Sequence, residues 1–283
     1  MDTACLQHRL TEDERATFKR DGYMIVPNAL SPETVARLSE PVARVEAEGR
    51  VEQEAGRLDR LSVMDFVGRD DAFVELVDCP TTIAKVWDIL GWNIQIYHSH
   101  LVVTPPWERA DPVDMAFGWH QDSARMNQEM DVDPRPMISL KVAYFLSDCS
   151  DVDRGNFYVL PGSQLRNSIE FPAEGRKAAL EDGVPVLAPA GSAVFFDRRI
   201  WHTASANYWT ESRRVLFYGY SYRWLRARDN VTMAHYWDRL DPIRKQLFGA
   251  APTGGYGYTS PTDADVPLRT WIAENVGSEA AAR

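Results

Sequence analysis

The sequence is poor in cysteine and has no long hydrophobic run, and both absences restrict what the protein can be. Its three cysteines, Cys5, Cys79 and Cys149, are widely separated and odd in number, so they form neither a disulfide framework nor a CxxC redox or zinc pair. No segment approaches the ~20 consecutive apolar residues of a membrane helix, and the N-terminus lacks the apolar core of a signal peptide. We therefore expect a cytoplasmic protein that does not bind membranes.

Positive charge is also scarce. The chain has 31 lysines and arginines against 41 acidic residues, which gives a formal net charge of −10. This balance argues against nucleic acid as a partner, because binding to phosphate backbones depends on an excess of basic side chains. It remains compatible with a local basic pocket, so we expect a small-molecule substrate as the partner. The sequence indicates no particular oligomeric state.

The first ninety residues have helix signals. Thr11 and Glu14 have the spacing of a capping box, and they predict a short helix that ends near residue 22. Ser31 followed by Pro32 predicts the start of a second helix, with serine as the N-cap and proline at the first helical position. We expect residues 1–90 to form a mainly helical N-terminal part.

The remainder of the chain is mainly rich in β-forming residues. Polar, glycine or proline residues separate the predicted strands, which lie at 94–103, 137–146, 157–160, 191–196 and 215–222. This spacing is typical of an antiparallel sandwich or double-sheet barrel. We predict one domain over residues 1–283, mainly β with flanking helices. Its barrel core occupies 91–226, and 227–283 adds a helix at 230–248 and a loop at 254–260.

A candidate metal site follows from His120-Gln121-Asp122. In an extended segment, residues i and i+2 point to the same side, so His120 and Asp122 can offer a nitrogen and a carboxylate oxygen to one ion. His202 follows a predicted strand and is the candidate for the third ligand. Two histidines and one carboxylate leave three coordination positions open, the arrangement expected of an oxygen-activating Fe(II) site.

An HxD pair alone is more often structural than metal-binding, but several blocks here resemble the phytanoyl-CoA dioxygenase family. The blocks are His120-Gln121-Asp122, residues 142–148 followed by 155–156 and 159–163, and residues 191–197 continuing through His202 to Arg213. They occur in the family's order. The chain departs from the family's pattern at Gln164, where many members have histidine, and at Ala204, where many have a small polar residue that Ser205 can replace.

The resemblance implies a double-stranded β-helix, or jelly-roll, cupin-like barrel, with an N-terminal helical layer. It also implies a dioxygenase that uses Fe(II), 2-oxoglutarate and O2, hydroxylates a C–H bond and forms succinate and CO2. His120, Asp122 and His202 would be the metal ligands. Arg213, eleven residues after the distal histidine, would bind 2-oxoglutarate, and a guanidinium fork matches a carboxylate well. Neighbouring strand residues face opposite ways, so we assign Arg214 to a surface or inter-sheet salt bridge.

Further candidates surround this set. As 2-oxoglutarate contacts we predict Ser205, His98 and Lys141, and as substrate-pocket residues His100, Trp119, Trp201 and Arg223. The two histidines lie on the strand before HxD, and each tryptophan adjoins a metal ligand. Lys141 and Arg223 lie in apolar strands, where a charge needs a partner or a cavity, and a salt bridge would explain either of them equally well.

Three alternatives compete with the oxygenase. His98-Ser99-His100 resembles a cupin HxH pair, but the glutamate expected a few residues later is missing. A zinc or manganese isomerase or hydrolase on the same scaffold would use the triad without 2-oxoglutarate. A binding protein without chemistry is the weakest alternative because the triad and Arg213 are intact. Asp122 argues against halogenation, which needs a small residue there. Loops 104–118, 123–136 and 165–183, together with the C-terminal segment, should determine substrate choice.

Overall fold

The computed structural model describes residues 1–107 and 115–282. Its strands are β1 (Tyr23–Val26), β2 (Leu61–Met64), β3 (Ile94–Thr104), β4 (Ser139–Phe145), β5 (Phe157–Val159), β6 (Val184–Pro185), β7 (Ala193–Asp197), β8 (His202–Ala204) and β9 (Arg213–Tyr222). Its α-helices are α1 (Glu12–Asp21), α2 (Pro32–Glu52), α3 (Asp71–Val74), α4 (Ile83–Leu90), α5 (Ala124–Glu129), α6 (Pro242–Leu247), α7 (Tyr256–Thr259) and α8 (Pro267–Asn275).

The strands form two antiparallel sheets. The larger sheet has the order β1-β7-β4-β9-β3-β2, and the smaller has the order β6-β5-β8. Apolar side chains from both sheets pack together, with Phe145, Phe196 and Val215 of the larger sheet against Phe157 and Val159 of the smaller one. The double-sheet architecture predicted from the sequence is therefore confirmed.

Side-chain alternation along the central strands separates two environments. On β4, Leu140, Val142 and Tyr144 belong to the core beneath the helices, whereas Ala143 and Phe145 belong to the core between the sheets. Strand β9 alternates in the same way. A residue's parity on these strands therefore decides whether its side chain faces the barrel interior.

A helical layer covers the outer face of the larger sheet. Thr11 completes a capping box with Glu14 at the start of α1, and Ser31 caps α2, which has Pro32 in its first turn. Both helix starts are as predicted. Leu38, Val42 and Val45 of α2 join the core beneath this layer. Across residues 1–107 and 115–282, no helix combines the length and apolar character needed to cross a bilayer.

The C-terminal part differs from the prediction. A single helix at 230–248 is wrong: a 3-10 segment spans Ala234–Arg239, and α6 starts afresh at Pro242. Proline lacks the N–H that an interior helical position needs, and Asp241 caps the new helix through the amides of the next turn. The loop predicted at 254–260 is also wrong, since it contains the short helix α7.

Candidate active site

The three predicted metal ligands lie side by side. His202 is on β8, and the backbone of His120 pairs with it through reciprocal N–H···O bonds of 3.0 and 2.9 Å. The amide of Asp122 donates to the carbonyl of Arg198 at 3.0 Å, and the Asn127 side chain donates to the carbonyl of Asp122 at 2.9 Å. As a result, ligand atoms of His120, Asp122 and His202 all lie within 4.8 Å of one another.

The protonation states of these residues suit a metal ion. Nδ1 of His120 lies 2.9 Å from the carbonyl of Gly118, and Nδ1 of His202 lies 2.9 Å from that of Ile200. A carbonyl only accepts, so Nδ1 carries the proton and Nε2 keeps its lone pair. Burial lowers the pKa of His202 to about 3 and also lowers the pKa of His120. The donor set of two neutral imidazoles and one carboxylate therefore fits Fe(II).

Lys141 accompanies the ligand set from strand β4. Its Nζ lies 2.8 Å from Oδ2 of Asp122, and both side chains are buried. The rings of Phe196 and Phe217 flank the ammonium group, each with its centroid 5.8 Å away. Burial opposes ionisation of Asp122, but Lys141 and the two histidines outweigh it and hold the pKa of that carboxyl well below its usual range.

The tandem arginines of β9 have opposite environments. Arg213 shares the inward parity of Val215, is 4% exposed and donates from Nη1 to the carbonyl of Gly155. Burial lowers its pKa to about 10, and no carboxylate of the described residues forms an ion pair with it. Arg214 points to the helical layer and pairs with Glu46 of α2 at 2.9 Å.

A cavity of about 590 Å³ lies between the two sheets and contains the ligand set. Of the residues predicted from the sequence, the lining includes His120, Asp122, His202, Arg213, Lys141, His100 and Trp119. Ala204, which stands where many relatives have a small polar residue, also lines the cavity. Metal ligands, an unpaired guanidinium and aromatic walls therefore share one space, as in small-molecule sites in general.

Two predicted 2-oxoglutarate contacts are outside this lining. His98 is fully buried, and its Nδ1 lies 3.1 Å from Oδ1 of Asp229, so its imidazole anchors the segment after β9. Ser205 donates its hydroxyl to the carbonyl of Ala206, and its amide donates to that of Asn156. Both side chains already have partners elsewhere in the protein.

Two predicted pocket residues are also outside it. Trp201 packs edge-to-face on Phe171, with centroids 5.5 Å apart, and its Nε1 donates to the carbonyl of Arg166. Arg223 donates to the carbonyls of Gly257 and Ala250 and so fixes the C-terminal segment. Adjacency to a metal ligand in the sequence, or a charge within an apolar strand, is therefore not sufficient to predict that a residue lines the cavity.

The lining contains cationic residues that the sequence analysis did not identify: Arg60, Arg176 and Arg228. Arg60 directly precedes β2 and lies at the end of a charged stretch that resembles a solvated loop. The short strand that follows it is the one sequence feature that could have indicated a position near the sheet. Each predicted specificity loop contributes to the lining, with Phe117, Ser123 and Arg176. Part of the first loop, residues 108–114, is outside the described residues.

Comparison with known proteins agrees with this architecture. Residues 18–215 match the family model of phytanoyl-CoA dioxygenase (PhyH). The chain is 27% identical over 237 residues to L-proline trans-4-hydroxylase of Streptomyces griseoviridis, covering 74% of this chain and 85% of that protein. It is 26% identical over 235 residues to ectoine dioxygenase of Stutzerimonas stutzeri, with coverages of 72% and 74%.

Solved structures share the fold. EctD from S. alaskensis in its apoform aligns with a TM-score of 0.61 at 18% identity, over 78% of this chain and 80% of that one. HygX from Streptomyces hygroscopicus, with nickel and 2-oxoglutarate bound, aligns with a TM-score of 0.60 at 14% identity, over 77% and 89%. The barrel is the jelly roll of the 2-oxoglutarate-dependent oxygenases.

Fold and relatives define the class of this protein as a non-haem dioxygenase that uses Fe(II), 2-oxoglutarate and O2. Within that class, the chain belongs to the phytanoyl-CoA dioxygenase family. The expectations of fold, enzyme class and cofactors drawn from the sequence are confirmed.

Proposed function

We propose that this enzyme hydroxylates an unactivated C–H bond of a small-molecule metabolite, with His120, Asp122 and His202 holding Fe(II) and Arg213 binding 2-oxoglutarate. The observation that carries this assignment is the buried guanidinium of Arg213, which lies in the same cavity as the three ligands and has no ion-pair partner among the described residues. A buried charge without a partner is costly, so a site that keeps one is suited to an anionic ligand. When bound, Fe(II) and 2-oxoglutarate supply an O2-dependent oxidation that yields succinate and CO2.

The chain's own residues prepare this chemistry. The carbonyls of Gly118 and Ile200 fix the histidine tautomers, so both Nε2 atoms are ready to bind metal. Lys141 holds Asp122 by its carboxylate, and we propose that it positions this ligand and adds positive charge beside the bound co-substrate. The phenyl rings of Phe157, Phe196 and Phe217 line the cavity and exclude water from the reacting bond.

The names of two relatives supply first substrates to test. L-proline trans-4-hydroxylase and ectoine dioxygenase are both similar to this chain over more than 70% of its length. We propose L-proline and ectoine as starting compounds. The expected product of a true substrate gains one oxygen atom by mass spectrometry, in step with succinate formation.

The metal assignment is tested by anaerobic titration with Fe(II) and 2-oxoglutarate. The native enzyme should develop the weak visible metal-to-ligand charge-transfer band of this chelate. His202→Ala should abolish both the band and succinate formation, because it removes one of three ligands. His235→Ala is the matched control, because His235 is exposed, does not line the cavity, and its Nε2 contacts the carbonyl of Gly68. An undiminished band in His202→Ala would show that the distal ligand is assigned wrongly.

A further inference from the structure

The described lining of the cavity carries more positive than negative charge, although the protein as a whole is acidic. Asp122 is the only carboxylate in the described lining, and it already pairs with Lys141. Arg213 is assigned to 2-oxoglutarate. Arg60, Arg176 and Arg228 remain, and none of them forms an ion pair with a carboxylate of the described residues. A metal ion with two positive charges and a 2-oxoglutarate with two negative ones would not change this excess.

Arg60 is connected to the ligand set through an aromatic ring. Its Cζ lies 4.9 Å from the centroid of the Phe117 ring, and that ring lies edge-to-face on His120 with centroids 4.9 Å apart. Its guanidinium is thus one aromatic ring away from a metal ligand. Arg60 is solvent-exposed where it lines the cavity, and no carboxylate of the described residues forms an ion pair with it. Stacking on a ring orients the guanidinium but leaves its N–H groups free for an anion.

Arg228 also lines the cavity, and contacts of its own backbone and of its neighbour hold its segment in place. Its amide donates to the carbonyl of Tyr97 at 2.7 Å, and the next residue, Asp229, is held by the imidazole of His98 and the amide of Ser99. Arg60, Arg228 and His100 all line the cavity. Two arginines from distant parts of the chain therefore contribute to one space.

Arg176 is different because its guanidinium is already engaged. Its Nη1 donates to the carbonyl of Trp119 at 3.2 Å, and its Cζ lies 5.0 Å from the Phe171 ring and 5.6 Å from the Trp201 ring. These contacts give Arg176 a structural role in the loop that lines this part of the cavity.

We propose that the substrate is a small molecule that bears a carboxylate, and that Arg60, assisted by Arg228, binds this carboxylate at the cavity mouth. The assignment rests on the function proposed above and narrows its substrate class. It makes Arg60 a specificity-determining residue, because a neutral analogue would leave the guanidinium without its partner. A phosphate monoester offers similar oxygen atoms, and the test separates the two.

The test uses calorimetry on enzyme loaded with Ni(II) and 2-oxoglutarate. The probes are small amino, imino and hydroxy acids, each paired with its primary carboxamide and with a phosphate monoester of similar size. We expect acids to bind and the matched amides to bind about tenfold to a hundredfold more weakly, the value of a charge-assisted contact. Arg60→Gln should weaken acid binding by the same factor, leave amide binding unchanged and leave the Kd of 2-oxoglutarate unchanged.

The control is Arg57→Gln, which removes the same charge from an exposed residue of the same segment outside the cavity lining. It should bind the acids as the native enzyme does, and Arg60→Lys should recover part of the lost affinity. The inference is overturned if amides bind as well as acids, if phosphate esters bind better, if no acid binds, or if Arg57→Gln and Arg60→Gln behave alike. Loss of the Fe(II)–2-oxoglutarate band in native enzyme would instead overturn the proposed function.

Discussion

Replacement of Arg213 by methionine should separate stability from co-substrate binding. Burial lowers the pKa of Arg213 from its usual range to about 10, which corresponds to roughly 3 kcal/mol of cost for its charged form. This cost is present at every pH below about 10. Arg213→Met removes it but also forfeits the hydrogen bond to the Gly155 carbonyl, a loss of about 1–2 kcal/mol. The metal-free variant should therefore be at least as stable as the native protein.

Binding of 2-oxoglutarate should change in the opposite direction. Its far carboxylate would face methionine instead of a guanidinium, and loss of one partner from a buried charge pair costs about 2–5 kcal/mol. The Kd should rise by about 30-fold to several thousand-fold. Urea denaturation of metal-free protein gives the stability, and the anaerobic charge-transfer titration gives the Kd.

Arg214→Met is the matched control, since its partly exposed pair with Glu46 is worth at most about 1 kcal/mol. It should leave the Kd unchanged. A clearly destabilised Arg213→Met variant that still binds 2-oxoglutarate normally would refute the reasoning, because it would make Arg213 a structural residue.

Two further predictions concern the ligand set and the buried histidines. Lys141→Met should destabilise the metal-free protein by about 3–5 kcal/mol, because Asp122 stays buried without its cation. With Ni(II) bound, the loss of stability should be smaller. Equal losses in urea denaturation with and without the metal would contradict this prediction. The metal-free protein should also lose stability as the pH falls below 6.5, since burial lowers the pKa of His98, His120 and His202 and only the unfolded chain takes up their protons. Each histidine contributes up to ~1.4 kcal/mol per pH unit, so a constant unfolding free energy between about pH 7.5 and 5.5 would rule it out.

The sequence predicted the site partly from local geometry and partly from the family resemblance. His120 and Asp122 share a side because they are two residues apart in extended backbone. The resemblance pointed to Arg213, and strand parity then predicts that Arg214 faces the other way. The helix starts at Thr11 and Ser31 depend on capping and were likewise predicted from local geometry.

Residues brought together by tertiary packing escaped such rules. His98 and His100 are two residues apart on β3, and the sequence pattern does not distinguish them. Only His100 lines the cavity, whereas the imidazole of His98 contacts Asp229, which follows β9. Arg60 belongs to no motif and becomes significant only when β2 pairs with β3 at the sheet edge. Its role depends on a contact with Phe117, which lies 57 positions later in the sequence. Local sequence patterns do not encode such a contact.

Charge balance gives the strongest constraint on what enters this cavity. Fe(II) and 2-oxoglutarate bring opposite charges of equal size, and Lys141 offsets Asp122, so the described lining of the loaded site keeps the charge of its arginines. Solvent and aromatic stacking can stabilise the charge of the more exposed arginines. The low-dielectric surroundings of the cavity nevertheless strengthen the attraction between these arginines and an anion. An anionic substrate would complete the balance where a neutral one would not, and the position of Arg60 one ring from His120 would hold that anion close to the reacting bond.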